Sequence, residues 1–382
     1  MPVSSPDEIP KLVLASLAVR DFRNLTRVDL TPSPRFNVVS GQNGQGKTSL
    51  LEAIYFVATS RSFRTHRPAE LLRHGAAAGS VRAQFVEDSG SAGLAPLARE
   101  QLAAIDGSRC SVRIDGARPP TLAAFATRSP VVAFHPEEMA LSTGPASLRR
   151  TLLDRLALFM SAVAADHRAR YERALKARQE LLRRGGPAAE GEIEAFEALA
   201  ARHGAALTRA RGEAAAALVA ELSLAFRRIA APDLELCAEY TPGGSADEAE
   251  AAAALLRARR ADAVRPTASF GPHRDDLVLS LDGRKARVVA SQGQHRAITL
   301  ALKAAEVATI GRVRGLSPVL LLDDVSSELD AQRTDALFAY LTDQNGQIFV
   351  TTTRRPLILL PAGLASAERH FEVAAGGVEE AP

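Results

Sequence analysis

The apolar positions near the N-terminus fall into short runs, and such runs predict β-strands. The runs are KLVLASLAV, TRVDL and RFNVVS, within residues 11–40. The third run leads into the glycine-rich stretch GQNGQGKTSL and then into LLEAIYFVA, which is typical of a helix. Between residues 79 and 115, further short runs alternate with Gly, Ser and Asp and predict antiparallel hairpins. The first ten residues contain three prolines and are expected to form a loose tail.

A long helical pattern occupies the middle of the chain. From Ser147 to Arg184 the sequence has almost no helix breaker, and its apolar residues recur every three to four positions. The GGP stretch at residues 185–187 ends this helix, and a second helical run extends from about Glu190 to Arg228. Two long antiparallel helices would form an arm. The pattern fits a plain helical subdomain and an arm for interactions equally well.

Strand-like patterns return after a linker at TPGGSADE and a further helical stretch. DDLVLSLDGRKARVV predicts a hairpin that turns at Asp282–Gly283, and it is followed by a helix, the apolar run PVLLLDD, another helix and QIFVTTT. The predicted organisation is a tail (1–10), a first α/β segment (11–130), a helical insertion (131–263) and a second α/β segment (264–382). We therefore predict an α/β fold whose central lobe is split by a helical arm domain.

Composition narrows the class of protein. The 382 residues are 46% hydrophobic and 24% charged, which suits one domain with an insertion or two domains. The net charge of +3, with a pI near 9.1, favours acidic partners only if the basic residues cluster. The two cysteines, Cys110 and Cys237, are too far apart for a C-x-x-C motif. With neither an export signal nor an apolar run long enough for a membrane helix, we expect a reduced, cytoplasmic protein.

The stretch at residues 41–48 matches G-x-x-x-x-G-K-[ST], the loop that cradles phosphates between a strand and a helix. Glycines let the backbone N–H groups approach phosphate, and the start of the helix adds positive potential. Lys47 would reach the β- and γ-phosphates, and the Thr48 hydroxyl would bind magnesium. The predicted nucleotide-binding residues here are Gly41, Gln42, Asn43, Gly44, Gln45, Gly46, Lys47 and Thr48.

A P-loop needs an acidic magnesium partner at the end of a buried strand. The apolar run Val319–Leu322 ends in Asp323 and Asp324. We predict that Asp323 holds magnesium and that Asp324 orients the attacking water, which makes Asp324 and Lys47 the catalytic candidates. The alternative is that the two aspartates only cap the next helix.

A second anion site is predicted at the start of the helix SQGQHRAITLALKAAEV, where Ser291, Gly293 and Gln294 precede recurring apolar residues. The chain's own nucleotide already has a P-loop, so this site makes sense if it faces the nucleotide of a second copy. Taken alone, the pattern is weak because any helix N-cap can look similar.

The order of these motifs resembles the ABC-type ATPase heads of the SMC class, and within that class the RecF family. The resemblance runs nearly end to end and rests on VRDFRNL, GQNGQGKTSLLEAI, SRSFRT, HPEEMALSTGPASLRRTLLD, YERALKARQELL, GPHRDDL, SQGQHRAITLALKAAE and LLLDDVSSELD. The tail and the alanine-rich region near residues 92–104 depart from the family pattern without touching a motif.

This resemblance implies an ATP- and Mg²⁺-dependent protein that forms a homodimer on ATP and binds single-stranded and gapped duplex DNA. It would act in recombinational repair, at gaps and stalled forks, and in SOS induction, with RecR, RecO and RecA as partners. Its weak, DNA-stimulated ATPase would serve as a switch. Alternatives are a transporter nucleotide-binding subunit, which has no need for the long arm, or another SMC-like protein such as RecN, whose coiled coil would not fit in this length.

Clustered basic residues are the candidate DNA contacts, although any single one is better explained as part of a solvated helix face. They are Arg61, Arg64, His66, Arg67, Arg149, Arg150, Arg155, Arg183, Arg184, Arg257, Arg259 and Arg260. The HPEE and GPHRDDL segments lack the ligand spacing of a zinc site and are expected to be polar joints.

Overall fold

The computed structural model describes residues 9–89, 96–185, 190–229, 234–265, 267–324, 336, 339–340, 343, 345–353 and 368–381. The SSELD motif at 326–330, and most of the helix predicted after it, lie outside these residues. The chain divides into two compact units. Unit 1 comprises Met1–Met139, Leu224–Asp233 and Ser291–Pro382, and unit 2 comprises Ala140–Ser223 and Leu234–Ala290.

The strands are β1 (Lys11–Phe22), β2 (Leu25–Leu30), β3 (Phe36–Ser40), β4 (Ala78–Asp88), β5 (Leu97–Asp106), β6 (Arg109–Ile114), β7 (Val131–Phe134), β8 (Leu236–Thr241), β9 (Asp276–Leu281), β10 (Arg284–Lys285), β11 (Val319–Leu322), β12 (Ile348–Thr352), β13 (Glu368–Ala374) and β14 (Gly377–Ala381). The α-helices are α1 (Lys47–Thr59), α2 (Leu122–Ala126), α3 (Ala140–Thr143), α4 (Ala146–Met160), α5 (Val163–Arg184), α6 (Glu190–Ile229), α7 (Glu248–Ala263), α8 (Ala286–Val289) and α9 (Gln292–Arg314). Short 3-10 turns lie at Pro68–Leu71, Pro136–Met139 and Pro272–Arg274.

A six-stranded sheet with the order β14-β13-β3-β12-β11-β7 carries the motifs of unit 1. All of its neighbouring pairs are parallel except β13 with β14. Every residue of β3, β7, β11 and β12 is buried, as expected for parallel strands covered on both faces. Because β3, β11 and β12 run in the same direction, their carboxyl ends meet at one edge of the sheet. The loop at residues 41–48 follows β3, Asp323 follows β11, and Thr351 lies near the end of β12.

An antiparallel sheet with the order β2-β1-β4-β5-β6 forms the second layer of unit 1. Helix α1 shares one hydrophobic core with both sheets, and its Leu50, Ile54 and Phe56 are almost completely buried. Phe56 packs against Phe22 of β1 with ring centroids 5.6 Å apart. Burial of an aromatic or aliphatic side chain of this size stabilises the fold by about 1.5–3 kcal/mol. The helix that begins at the phosphate loop is therefore anchored in the core.

Unit 2 contains α3–α5, α7, α8, most of α6, and a small antiparallel sheet with the order β10-β9-β8. Tyr171, Ala201 and Leu255 belong to its helical core. The hairpin predicted at Asp282–Gly283 is present, since both residues have positive φ angles (48° and 73°) and β9 pairs with β10 across them. Such angles suit the primed turns of short hairpins.

Two predictions about the arm need correction. The single helix predicted from Ser147 to Arg184 is divided, because Ser161 has an extended backbone (φ −152°) between α4 and α5. The break allows α4 to pack on β9 while α5 packs on α7. The predicted insertion at 131–263 also differs from unit 2: β7 pairs with β11 inside the unit 1 sheet, and the β8–β10 sheet extends unit 2 to Ala290.

Within the described part of the chain, no helix combines the length and apolarity that a membrane span requires.

Candidate functional site

The glycines of the loop at residues 41–46 adopt backbone angles that side chains disfavour. Gly44 and Gly46 have φ angles of 80° and 124°. A Cβ atom on Gly41 would lie 2.5 Å from the carbonyl oxygen of Val373, and one on Gly46 would lie 3.0 Å from the side chain of Asn24. The loop therefore passes too close to β13 and to Asn24 for a larger residue, which is why glycine is required there.

Lys47 begins α1 and is nearly buried. Its ammonium donates hydrogen bonds to the carbonyl oxygens of Gly41 (2.6 Å) and Gln42 (3.0 Å). Burial lowers the pKa of Lys47, and the nearby carboxylates of Asp324 and Asp323 partly offset this effect. The charge is thus held at the mouth of the loop, where it suits a phosphate.

Thr48, Asp323 and Thr351 meet at the carboxyl edge of the sheet. The Thr48 hydroxyl donates to the carboxylate of Asp323 at 2.9–3.0 Å. The Thr351 hydroxyl, from β12, donates to Asp323 Oδ1 at 2.8 Å. Burial raises the pKa of Asp323, and the hydrogen bonds from Thr351 and Thr48 oppose the rise. Hydroxyl and carboxylate oxygens this close are the hard donors that Mg²⁺ prefers, so the residues fit the ion.

Asp324 follows in a left-handed backbone conformation (φ 53°). Its N–H donates to the Thr351 hydroxyl at 2.8 Å. Aspartate and asparagine tolerate this region better than most residues. Thr351 therefore contacts both aspartates, a role that the sequence analysis missed. The only signal was that the run QIFVTTT ends in threonines.

A cleft of about 870 Å³ opens over the loop. Its lining includes Lys47, Thr48, Asp323 and Asp324, together with basic residues that the sequence analysis did not assign to it: Arg23, Arg64, Arg73 and His74. Arg23 lies in VRDFRNL and Arg64 in SRSFRT, so the family motifs did mark both positions. The concentration of positive charge around the loop suits a polyanionic ligand.

Glu52 holds two of these arginines in place. Its fully buried carboxylate, on α1, accepts hydrogen bonds from Arg23 at 2.7 and 2.8 Å and from Arg64 at 3.3 Å. The Ser62 hydroxyl also donates to it. The P-loop helix thereby orients two arginines that line its own cleft.

Ser291 caps the N-terminus of α9. Its hydroxyl accepts from the backbone N–H of Gln294 at 3.2 Å, and the Gln294 side chain accepts from the N–H of Ser291 at 2.7 Å. This reciprocal capping box leaves Ser291 exposed. None of Ser291, Gly293 and Gln294, all described, lines the P-loop cleft. The predicted second anion site is therefore separate from the cleft within one chain.

Some of the arginines predicted to contact DNA bind other groups within the protein. Arg149 is buried and makes a bidentate ion pair with Asp276 at 2.7 and 3.0 Å, so it is not a surface contact. Arg183 and Arg184 both pair with Glu180 on their own helix. Arg150 donates to the backbone oxygen of Asp275. Neighbours along a helix surface often neutralise each other in this way.

The GPHRDDL segment forms a buried polar network inside unit 2. Asp275 accepts from Arg211 (3.0 Å), Tyr240 (2.7 Å) and the N–H of Gly243 (2.8 Å). His273 is hydrogen-bonded to Tyr171 at 2.7 Å. No group of three or more metal-binding side chains was found among the described residues. The network explains why the segment is rich in charge although Asp275 is buried.

Known proteins are similar to this chain in sequence and in fold. The family model described as RecF/RecN/SMC N terminal domain matches residues 13–360. The DNA replication and repair protein RecF of Anaeromyxobacter sp. (strain Fw109-5) is 43% identical over 360 residues, covering 92% of this chain and 95% of the relative.

Two solved structures are also similar. The recombination mediator protein RecF with ATP, described as part of the RecFOR pathway, has a TM-score of 0.85 and 25% identity, covering 98% of this chain and 99% of the other. The Smc head domain from Pyrococcus furiosus, bound to the C-terminal domain of ScpA, has a TM-score of 0.56 and 15% identity over 97% and 96% of the two chains. The second match concerns the fold alone.

Proposed function

This chain belongs to the RecF family of SMC-type ATPases, and from that premise we propose that it is an ATP-dependent DNA-binding protein of recombinational repair. The membership confirms the predicted resemblance, and the ABC-type, SMC-head-like fold is confirmed with it. This family membership removes the support for the alternative that the chain is a transporter nucleotide-binding subunit. RecN shares the family model, but the near full-length match is to RecF.

The observation that carries the proposal is the meeting of Lys47, Thr48 and Asp323 at the carboxyl edge of one parallel sheet. We assign the phosphates of ATP to the loop at residues 41–48 and to Lys47, and Mg²⁺ to Thr48 and Asp323. When bound, the metal supplies positive charge to the phosphates. Asp324, the next residue, would be the carboxylate that orients water for a slow hydrolysis.

We assign Ser291 and Gly293 to the nucleotide of a second copy of the chain, so that ATP drives dimerisation into a clamp on DNA. The support is the exposed N-terminus of α9, which offers positive potential and lies apart from the chain's own cleft. By the family resemblance, the DNA would be single-stranded or gapped duplex at a stalled fork. RecR and RecO would then assist in loading RecA, with SOS induction as the cellular outcome.

The test is Lys47→Ala, with Lys176→Ala on the exposed surface of unit 2 as a matched control. Lys47→Ala removes the ammonium that neutralises phosphate and should abolish ATP binding, ATP-dependent dimerisation and ATP-dependent DNA binding. Light scattering with ATP, ADP or no nucleotide, with and without gapped DNA, measures the last two. Lys176→Ala should behave like the parent.

A Lys47→Ala protein that binds ATP and DNA like the parent would mean that the loop is structural. A parent protein that remains monomeric with ATP and gapped DNA would exclude the clamp. DNA should stimulate the parent's ATPase modestly, whereas a transporter subunit would show no response to DNA.

A further inference from the structure

Unit 1 contains a buried cluster of charged side chains away from the cleft. The ammonium of Lys303 lies 3.1 and 3.0 Å from the two carboxylate oxygens of Glu138. It also lies 2.6 Å from Glu306, one turn further along the same helix. Lys303, Glu138 and Glu306 are only 4%, 8% and 1% exposed. Nothing assigned so far to ATP or DNA uses this cluster.

The cluster joins α9, the helix capped by Ser291 and called the signature helix below, to β7, the strand that pairs with β11 ahead of Asp323. Lys303 and Glu306 lie on α9, whose N-terminus is capped by Ser291. Glu138 lies in the 3-10 turn Pro136–Met139, which directly follows β7. The N–H of Asp323 donates to the carbonyl of Phe134, the last residue of β7, at 2.9 Å. Lys303 therefore links α9 to Glu138. Glu138 lies four residues after Phe134, whose carbonyl accepts from the N–H of Asp323, the predicted magnesium ligand.

The residue just before this turn, His135, makes aromatic contacts. The ring of His135 stacks on Phe63 with centroids 4.9 Å apart and an interplanar angle of 19°. Phe63 in turn meets the edge of Tyr55 at 5.5 Å. Tyr55 belongs to α1, the helix that begins at Lys47. Offset and edge-on aromatic pairs of this kind have defined geometries. The turn after β7 is thus held by the P-loop helix and, through Glu138, holds α9.

Stability alone gives a poor reason for this arrangement. Burying an ammonium and carboxylates removes their hydration, and apolar residues of similar volume stabilise such sites equally well or better. What a buried ion pair does provide is directionality, because only one relative position of the two elements satisfies both partners. At about 1.5 Å per residue, a shift of α9 at Lys303 is transmitted along a rigid helix to Ser291, about 18 Å away.

We propose that Lys303 and Glu138 are positioning residues for the signature helix, which they hold so that its N-terminus can engage the nucleotide of a second copy of the chain. This inference rests on the proposed function, since it assumes ATP-driven dimerisation. Neither residue lines the P-loop cleft. Their effect is on how well two ATP-bound copies fit together.

The experiment compares Glu138→Gln with Glu306→Gln. Each variant removes one carboxylate from the same buried cluster, and each leaves Lys303 with one remaining carboxylate partner. Glu138→Gln weakens the Lys303 link between α9 and the turn after β7, whereas the Lys303–Glu306 pair that Glu306→Gln weakens lies within α9. We measure the ATP affinity of the monomer, the dimerisation constant with ATP by light scattering, and the midpoint of thermal unfolding.

We expect Glu138→Gln to weaken ATP-dependent dimerisation by about tenfold, the difference between a charged and a neutral hydrogen bond, with ATP affinity within about twofold of the parent. Glu306→Gln should dimerise like the parent. Equal dimerisation by both variants overturns the inference. The inference is also overturned if both variants lose dimerisation equally and in proportion to their loss of thermal stability, because a cluster with a purely structural role would give that result. A parent that does not dimerise with ATP instead refutes the proposed function, and this inference with it.

Discussion

Replacing Thr351 by valine should disturb both aspartates of the site while conserving the volume of the side chain. Thr351 is completely buried. Its hydroxyl donates to Asp323 Oδ1 and accepts from the N–H of Asp324, both at 2.8 Å. Loss of a hydrogen bond to a charged carboxylate costs about 1.5–3 kcal/mol, and loss of the acceptor for a partly buried N–H costs about 1 kcal/mol. We therefore expect Thr351→Val to destabilise unit 1 by about 2–4 kcal/mol.

The loss of Mg²⁺ affinity should exceed what the destabilisation of unit 1 would cause. Outer partners that orient a metal ligand typically contribute about 10–100-fold to metal affinity, and Thr351 orients Asp323 in this way. The effect should also depend on pH. Burial already raises the pKa of Asp323, and the Thr351 hydrogen bond opposes this rise, so Thr351→Val raises the pKa further. Because Mg²⁺ binds the ionised carboxylate, the variant should lose more affinity relative to the parent as the pH falls.

The assay is calorimetric titration of ATP at several Mg²⁺ concentrations and at three pH values. Thr127→Val is the control, since Thr127 is a buried threonine of the same unit whose hydroxyl donates only to the backbone oxygen of Ala123 at 2.9 Å. The control should show parent-like Mg²⁺ dependence. If Thr351→Val binds MgATP like the parent at every pH, then Thr351 does not orient the metal ligand.

The remaining predictions concern the interface, the rate and pH. Ser291→Arg should block ATP-induced dimerisation and spare monomer ATP binding, because a bulky side chain would replace the exposed cap of α9; equal loss of both would indicate a site within one chain. Asp324→Asn, which suits the left-handed backbone, should slow hydrolysis while preserving the ATP-bound dimer, and normal turnover would leave Asp324 a capping role only. Burial and the neighbouring ring of His167 lower the pKa of His203. The unfolded state therefore takes up the proton first, so stability should fall as pH drops through about 6.5, and His203→Gln should flatten that dependence in thermal unfolding.

Local patterns in the sequence were sufficient to predict the phosphate loop and the elements around it. Gly44 and Gly46 are required by the positive φ angles of the loop, and the following helix is set by its own apolar spacing. Likewise, four consecutive buried positions before Asp323 are characteristic of a central parallel strand. These features depend on residues close together in the chain, so composition and periodicity reveal them.

The tertiary structure alone decided which distant residues meet. Lys303 and Glu138 are separated by 165 positions, and Thr351 reaches Asp323 only because β12 lies beside β11 in the sheet. Nothing local distinguishes Arg149, buried against Asp276, from the partly exposed Arg150 and Arg155 of the same helix. The sequence specifies which side chains are ionisable, but the solvation and the counter-ion of each depend on how the strands and helices pack. For that reason the sequence determined the glycine-rich loop at residues 41–48, while the packed fold determined which side chains support it.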